Sequence, residues 1–381
     1  LPIDKPDLLV LTEREPLGVI AAIVPWNSQL FLVAVKLGPA LAAGNTVVLK
    51  ASEHASAAML EFGKLIEESG FPPGVVNIIT GHGDPCGKEL TSHPLISRVS
   101  FTGGPKSAQN IIQNSANNFA EVSLELGGKS PVIVGEDSDI QSAAVRVMQG
   151  KTMNAGQICL APDYALVPKE KVSEFVDESV NAVSTMYPSL KENEDYTSII
   201  NEKHYERIQG YLEDAKEKGA EIVEINPNNE DFSQQPHYKI PPTLVLNPTE
   251  DMTLMKEEIF GPVLPVKSYD NLKDSVDYVN TKERPLGLYY FGNKKKDQEY
   301  VLKNTTSGGV TLNDVISHIT QENLPFGGVG PSGMGSYHGY DGFKEFSHAK
   351  SIYKQTKINL NKLAGLVPPY KDKKDKVSSP S

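Results

Sequence analysis

The sequence has little cysteine: Cys86 and Cys159 are the two that occur in its 381 residues. A network of disulfide bonds and a cysteine-rich zinc site are therefore excluded, and free thiols suit a reducing compartment. The eight histidines show no metal-ligand spacing such as HExxH, so we expect no bound metal. At least one cysteine is then available for chemistry.

Long apolar runs and an excess of positive charge are also missing. No apolar run approaches the ~20 residues that a membrane-spanning helix needs, so we expect no membrane segment in this chain. The net charge is −11, whereas a nucleic-acid partner needs lysine and arginine to neutralise its phosphates. The first residues lack the basic and apolar segments of a signal peptide. These features predict a cytoplasmic protein that binds no nucleic acid.

Strand-like apolar runs alternate with helical stretches along the chain, which predicts βαβ units on mostly parallel sheets. The clearest helix covers Ser56–Glu68, with apolar side chains on one side and charged ones on the other. A second alternating series begins at Pro131 and includes a polar helix over residues 201–218. Residues 226–237 are polar and predict a surface loop. The length allows about two or three domains.

Cys159 ends the motif Gly156-Gln157-Ile158-Cys159, at a break between predicted elements where a substrate could reach it. An isolated cysteine is more often a small buried hydrophobe than a nucleophile. The attacking form is the thiolate, and the ordinary cysteine pKa of ~8.5 means that a catalytic thiol needs local activation. The choice between a buried structural cysteine and a catalytic nucleophile therefore depends on the surrounding motifs.

Seven segments, in the family's order, resemble the aldehyde dehydrogenase superfamily and span the chain from about Glu15 to about Gln355. The stretch from Cys159 to Tyr164, with residues 306–315, is most similar to the branch that holds class 3, fatty-aldehyde and coniferyl-aldehyde dehydrogenases. The seven segments are Pro25-Trp26-Asn27, Gly44-Asn45-Thr46-Val47-Val48-Leu49-Lys50, Phe101-Thr102-Gly103-Gly104, residues 124–131, Gly156-Gln157-Ile158-Cys159, Glu257-Glu258-Ile259-Phe260-Gly261-Pro262 and Leu324-Pro325-Phe326-Gly327-Gly328.

The resemblance implies an α/β fold with a variant Rossmann cofactor domain, a second α/β catalytic domain and a small β extension for oligomerisation. The extension would use residues 1–14 and 340–357 and join subunits into a homodimer or homotetramer. The family's N-terminal helical segment is missing from the sequence as given. The expected divisions are 1–126 for the NAD(P)-binding domain, 127–336 for the catalytic domain, 337–357 for the return and oligomerisation segment, and 358–381 for a C-terminal tail.

By the same resemblance, Cys159 is the nucleophile that attacks the aldehyde and ends as a thioester. The side-chain amide of Asn27 and the backbone N–H of Cys159 would stabilise the oxyanion. Glu125 corresponds to the general base that activates water for hydrolysis. The predicted reaction is therefore the NAD(P)-dependent oxidation of an aldehyde to a carboxylic acid.

The usual dinucleotide fingerprint is absent, since residues 328–333 fit Gly-x-Gly-x-x-Gly but do not follow a strand. The resemblance instead directs Lys50 and Glu53 at the adenosine ribose, where a carboxylate favours NAD and leaves NADP possible. Gly103 and Gly104 would open a helix that faces the pyrophosphate.

Trp26, Glu258 and Phe260 complete the expected cofactor site. Glu258 and Phe260 match the pair that holds the nicotinamide ribose in the family. Ser28 and Gln29 stand where related class 3 enzymes have Tyr-Pro, which predicts a more open or polar wall of the substrate pocket.

Two other interpretations remain. A semialdehyde or CoA-acylating dehydrogenase would form the same thioester, but a thioester taken by coenzyme A needs no general base, so Glu125 favours hydrolysis. A non-catalytic protein could keep the scaffold, because fold alone does not entail function. The joint presence of Cys159, Glu125, Asn27, Lys50 and Glu258 argues against it.

Overall fold

The computed structural model describes residues 9–355 and 359–370, and in these the chain forms three sheets with helices between their strands. The strands are β1 Leu9–Pro16, β2 Val19–Ile23, β3 Thr46–Lys50, β4 Val76–Ile79, β5 Ile96–Thr102, β6 Glu121–Glu125, β7 Pro131–Val134, β8 Tyr164–Pro168, β9 Glu221–Glu224, β10 Thr243–Leu246, β11 Val263–Tyr269, β12 Gly287–Phe291, β13 Gly309–Leu312, β14 Gly333–Met334 and β15 Ser347–Lys354. The helices are α1 Gln29–Ala42, α2 Ser56–Glu68, α3 Lys88–Ser92, α4 Pro105–Ser115, α5 Ile140–Thr152, α6 Val172–Met186, α7 Glu202–Glu217, α8 Thr253–Lys256, α9 Leu272–Asn280, α10 Lys295–Asn304, α11 Gly339–Glu345 and α12 Leu360–Leu363.

The first sheet has the order β14-β6-β5-β2-β3-β4, and its strands are parallel except for β14. Alternate side chains of β2 enter different cores: Ile20 and Ala22 pack on one face, and Ala21 and Ile23 on the other. This explains why β2 is continuously apolar, since both faces of the sheet are covered. The strand order reverses beside β2, and ligands of such sheets bind at the carboxyl ends of the strands there.

The second sheet has the order β13-β12-β7-β8-β11-β10-β9, with β9 as its one antiparallel member. Val132 and Val134 of β7 face one core, whereas Ile133 faces another. Residues 126–130 connect β6 of the first sheet to β7 of the second. The predicted α/β architecture with two parallel sheets is therefore confirmed.

The third sheet is a ribbon of β1 and β15, paired antiparallel from Leu9 with Lys354 to Pro16 with Ser347. The ribbon occupies the place expected for the β extension, although residues 1–8 and 356–357 of that expectation lie outside the described residues. The expectation was wrong for its start, because α11 precedes β15. A short helix, α12, forms in the segment expected as a tail.

The strand β14 lies close to residue 336, where the expected catalytic domain ends. It lies within the stretch assigned to the catalytic domain, yet it pairs antiparallel with β6 of the first sheet. The chain therefore returns to the first sheet a few residues earlier than expected. Within the described residues, no helix is both long and apolar enough to cross a membrane.

Candidate active site

A cavity of about 650 Å³ lies at the carboxyl ends of β2, β3 and β5. Its size is within the range of small-molecule and cofactor sites. Five of the residues predicted to bind the cofactor line it: Trp26, Lys50, Glu53, Gly103 and Gly104. The first sheet thus brings together residues from three separate motifs.

Opposite charges meet at the β3 end of the cavity. The Lys50 ammonium lies 3.7 Å from a carboxylate oxygen of Glu53, and the Nδ1 atom of His82 lies 3.8 Å from the other oxygen. Burial raises the pKa of Glu53, whereas a hydrogen bond from its own backbone N–H and the charge of Lys50 lower it. The net result is a pKa below the ordinary glutamate value. Glu53 is therefore ionised at neutral pH and presents a negative charge to the cavity.

The helix α4 begins at the cavity. Gly104 is its N-cap residue, in extended conformation, and Pro105 occupies the first helical position. A Cβ atom on Gly103 would lie 2.5 Å from the Phe101 ring, so only glycine fits there without a shift. Free backbone N–H groups at a helix N-terminus favour an anion such as a pyrophosphate.

The loop before Cys159 is held in an unusual backbone conformation. Asn154, Ala155 and Gly156 all have positive φ, at 48°, 51° and 74°. A Cβ atom on Gly156 would lie 2.2 Å from the carbonyl oxygen of Gly261, so this position requires glycine. The three residues turn the chain after α5 and bring the following cysteine towards the first domain.

The thiol of Cys159 lies against the carboxylate of Glu125. The Cys159 Sγ atom donates to the Glu125 Oε1 atom at 3.6 Å, and Glu125 is 3% exposed. The other carboxylate oxygen accepts from the Thr102 hydroxyl at 2.9 Å and from the Tyr337 hydroxyl. Two residues that stand 34 positions apart in the sequence are thus in hydrogen-bond contact, the arrangement that a nucleophile and its base require.

Burial raises the pKa of the Cys159 thiol well above its ordinary value, and the negative charges of Glu125 and Glu258 raise it further. In this arrangement the thiol is protonated at neutral pH. Attack on a carbonyl carbon therefore requires that the proton leave for an acceptor, and Glu125 is the carboxylate in contact with it.

Asn27 follows β2 and reaches the cysteine loop. Its side-chain amide donates to the carbonyl oxygen of Gln157 at 2.9 Å. An amide NH₂ group carries two donors, so this contact leaves one for a substrate oxygen. The predicted oxyanion donor is therefore next to the Cys159 loop.

Glu258 packs on the connection between the two domains. Its carboxylate occupies the space over Gly127, where an added Cβ atom would lie 2.3 Å from both oxygens. Burial raises the pKa of Glu258 to about 8, with a further contribution from the charge of Asp163, while a hydrogen bond from the Gly128 N–H opposes the rise. Glu258 is close enough to Cys159 to raise the pKa of the thiol, and it lies outside the lining of the cavity.

Phe260 connects this group with the cavity. Its ring meets the ring of Trp26 edge to face, with centroids 5.8 Å apart, and Trp26 lines the cavity. Phe260 has φ of 46°, a conformation that is rare for a bulky side chain and that marks a constrained position.

Three residues of the site were missed from the sequence as individual side chains: Thr102, Tyr337 and Lys36. Lys36 is 1% exposed, and its ammonium lies over the Tyr337 ring, 5.1 Å from the centroid. Burial lowers the pKa of Lys36, while the charges of Glu125 and Cys159 raise it. A signal existed, because Lys36 is the one charged residue in the otherwise apolar helix α1.

The thiol packs against an apolar cluster that contains two aromatic rings. Phe326 and Tyr337 belong to the apolar cluster against which Cys159 packs. His338 stacks on Phe326 with centroids 5.8 Å apart, and Phe31, 41% exposed, meets His338 edge to face. Tyr164, by contrast, lies in a core of the second domain.

No group of three or more His, Cys, Asp or Glu side chains in the described residues is arranged to hold a metal ion.

The sequence profile of the aldehyde dehydrogenase family matches residues 1–352. The chain is 50% identical over 356 residues to a probable coniferyl aldehyde dehydrogenase of Caulobacter vibrioides, covering 93% of this chain and 73% of the relative. With the same coverage it is 45% identical to the coniferyl aldehyde dehydrogenase of a Pseudomonas species. Two solved structures that are similar are the substrate-bound AldH of Staphylococcus aureus and the NAD⁺ complex of an aldehyde dehydrogenase from Bacillus cereus. The TM-scores are 0.86 and 0.85, at 35% and 34% identity, covering 95% and 93% of this chain and 76% and 71% of those chains. The chain belongs to the aldehyde dehydrogenase family, and it is an oxidoreductase that oxidises aldehydes with NAD(P)⁺.

Proposed function

We propose that this enzyme oxidises an aromatic aldehyde of the coniferyl aldehyde type to its carboxylic acid, through a thioester on Cys159. The observation that carries the proposal is the 3.6 Å contact between the Cys159 thiol and the Glu125 carboxylate. A nucleophile and a base in contact are the parts that acyl transfer to water requires.

The first step is transfer of the thiol proton. Glu125 accepts the proton of Cys159, and the thiolate attacks the aldehyde carbon to give a tetrahedral adduct. The Cys159 backbone N–H and the free N–H of Asn27 donate to the oxyanion. NAD(P)⁺, when bound, supplies the hydride acceptor and a positive charge. Loss of hydride from the adduct leaves a thioester on Cys159.

The second half of the reaction is hydrolysis. Glu125, after releasing its first proton, accepts a proton from a water molecule, and the hydroxide attacks the thioester carbon. The Cys159 sulfur leaves and regains a proton, and the carboxylic acid departs. The hydrogen bonds from Thr102 and Tyr337 keep the carboxylate facing the thioester during this step.

The cavity fits a dinucleotide. Lys50 and the ionised Glu53 would hold the adenosine ribose, and the N-terminus of α4, at Gly103 and Gly104, would face the pyrophosphate. The negative charge of Glu53 repels a 2′-phosphate, so we propose that NAD is preferred over NADP.

Glu258, Phe260 and Trp26 would complete the binding of the nicotinamide end. Their support is the contact of Phe260 with Trp26, which lines the cavity, and the position of Glu258 over Gly127.

The substrate class is supported by two facts. Cys159 packs against a cluster that contains Phe326 and Tyr337, and the two relatives at 50% and 45% identity carry coniferyl aldehyde in their names. Flat aromatic substrates gain from edge and face contacts with rings such as Phe326 and Tyr337. A coenzyme A acceptor is disfavoured, because the buried Glu125 would have no task in deacylation by a thiol.

Assembly and location follow from other features. A ribbon of two strands is marginal by itself, so we propose that β1 and β15 pack against a second subunit in a homodimer or homotetramer. Two free cysteines fit a reducing compartment, for which we propose the cytoplasm.

The test is steady-state NAD(P)H formation with a panel of aromatic and aliphatic aldehydes and both cofactors. We expect the highest kcat/KM with a hydroxycinnamaldehyde and NAD, a free carboxylic acid as the product by mass spectrometry, and no activity in Cys159→Ala. A higher kcat/KM for short aliphatic aldehydes would contradict the substrate class. An acyl-CoA product in the presence of coenzyme A would contradict hydrolysis.

A further inference from the structure

A buried ion pair lies beside the segment that carries Glu258. Lys129 and Asp163 are in contact, and their side chains are 10% and 4% exposed. The Lys129 ammonium also donates to two backbone carbonyls, that of Leu254 at 2.7 Å and that of Glu257 at 3.0 Å. One end of the pair therefore holds the residue directly before Glu258.

The other end of the pair holds the residue directly after it. The second carboxylate oxygen of Asp163 accepts from the backbone N–H of Ile259 at 3.0 Å. On the same residue, Arg207 donates to the Ile259 carbonyl at 2.8 Å. The backbone on both sides of Glu258 is thus bonded to one ion pair.

Stability alone does not account for this arrangement. A buried ion pair loses hydration on both ions, and apolar residues of similar volume are often as stable or more so. The pair fixes the backbone position of the segment 254–259, because three of its hydrogen bonds are made to backbone groups there. An apolar pair could fill the volume but could not fix that backbone.

We propose that Lys129 and Asp163 are positioning residues for Glu258. Their hydrogen bonds fix the backbone at Glu257 and Ile259 and so hold the Glu258 carboxylate on Gly127. The inference rests on the proposed role of Glu258 in holding the nicotinamide ribose. It adds that the affinity for cofactor depends on two side chains that are not in the lining of the cavity.

The experiment is a double-mutant cycle of Asp163→Asn and Glu258→Gln, read by fluorescence titration with NADH and by the KM for NAD. Asparagine can keep the acceptor for Ile259 but loses the charge that holds Lys129. We expect Asp163→Asn to weaken NADH binding by about tenfold in the parent, from loss of hydrogen bonds that involve an ion. In the Glu258→Gln background we expect less than about a twofold further loss, because the group being positioned is already changed.

A second variant guards against misfolding. The buried Lys151 is close enough to Asp163 for the carboxylate to raise its pKa, so Lys129→Met does not leave the carboxylate without a nearby cation. Lys129→Met should give the same non-additive result as Asp163→Asn. The matched control is Arg98→Met, which breaks the ion pair of Arg98 with Glu345 beside the first sheet. It should lower the melting temperature yet combine additively with Glu258→Gln.

The possible failures are distinct. If Glu258→Gln alone leaves NADH binding unchanged, the proposed role of Glu258 is wrong, and the inference fails with it. If Glu258→Gln weakens NADH binding but both Asp163→Asn and Lys129→Met add their full effect in that background, Glu258 keeps its proposed role. The positioning role of Lys129 and Asp163 is then contradicted. Parallel losses of binding and melting temperature in all three variants, Arg98→Met included, would mean that the pair is structural only.

Discussion

The Tyr337 hydroxyl donates a hydrogen bond to the carboxylate of Glu125 across 212 positions of sequence. Tyr337 comes just after β14, the short strand that pairs with β6, and Glu125 is the last residue of β6. The returning chain therefore completes the surroundings of the proposed base. Without this return, the Thr102 hydroxyl and the Cys159 thiol would be the remaining side-chain donors to Glu125 among the described contacts.

Tyr337→Phe is expected to lower kcat by about tenfold or more while the thiol remains reactive. The variant keeps the ring and removes one donor to a charged acceptor, a loss that typically costs about 1.5–3 kcal/mol. The measurement is kcat with saturating aldehyde and cofactor, beside iodoacetamide labelling of Cys159. The control is Tyr196→Phe, which removes a buried hydroxyl bonded to the Ile240 carbonyl in the second domain. An equal loss of kcat in both variants would show that the Tyr337 hydroxyl has no specific task.

Glu125→Gln is expected to slow hydrolysis of the thioester more than its formation, because loss of the Glu125 charge also lowers the pKa of Cys159 and lets water accept the thiol proton. The amide keeps the shape of the carboxylate but cannot take a proton from water, and general-base catalysis is worth roughly 10²–10⁴-fold. Rapid mixing should show a burst of up to about one equivalent of NADH followed by slow turnover. Intact-mass analysis should find the acyl group on Cys159, and Cys159→Ala should show neither signal. A Glu125→Gln enzyme with no burst and no adduct would show that removal of the thiol proton, and not activation of water, is the step that depends most on Glu125.

The alkylation of Cys159 in the free enzyme should increase with pH beyond the range in which an ordinary thiol levels off. The reason is the raised pKa: the protonated thiol persists above the ordinary cysteine pKa, and the reactive thiolate forms only when the pH passes the raised value. Glu125→Gln removes one of the negative charges that raise this pKa, so its labelling midpoint should move to lower pH. The measurement is the rate of iodoacetamide labelling at each pH, with peptide mapping to separate Cys159 from Cys86. The control is Glu121→Gln, a more exposed residue of the same strand, which should leave the labelling midpoint of Cys159 unchanged. A labelling midpoint that moves to higher pH in Glu125→Gln would contradict the explanation.

Glu53→Gln is expected to raise the ratio of kcat/KM for NADP to that for NAD by about tenfold, which corresponds to about 1.4 kcal/mol. The substitution removes the negative charge that would face a 2′-phosphate and leaves Lys50 as a cation beside it. Initial rates with both cofactors in the parent and the variant give the ratio. A parent enzyme that already favours NADP, or a ratio that does not change, would contradict the electrostatic explanation.

Local patterns predicted the elements well where a single period dominates. The helix Ser56–Glu68 has the predicted bounds, because its amphipathic spacing and the following prolines act within the segment itself. The second alternating series was expected to begin at Pro131, and β7 begins there, because its run of apolar residues is itself a strand signal. The residues of the site were identified from motifs, and the structure brings Cys159, Glu125 and Asn27 to one place.

Contacts between distant segments could not be predicted from such patterns. The strand β14 has two residues, too few to show a hydrophobic period. Its pairing with β6 was therefore seen only in the three-dimensional structure. The bonds from Lys129 and Asp163 to the segment around Glu258 were equally hidden, because each residue alone is an ordinary charged side chain. Long-range hydrogen bonds leave no signature in the spacing of one chain.

The seat of Glu258 on Gly127 limits how this enzyme can change over evolutionary time. A Cβ atom at position 127 would lie 2.3 Å from both carboxylate oxygens of Glu258, so any other residue at 127 has to displace that carboxylate from its present position. A lineage that acquires alanine at 127 has to shorten or move the acid at 258 as well, and a single substitution at 127 passes through a damaged intermediate. Across natural variants, these two positions should therefore change together or remain fixed together.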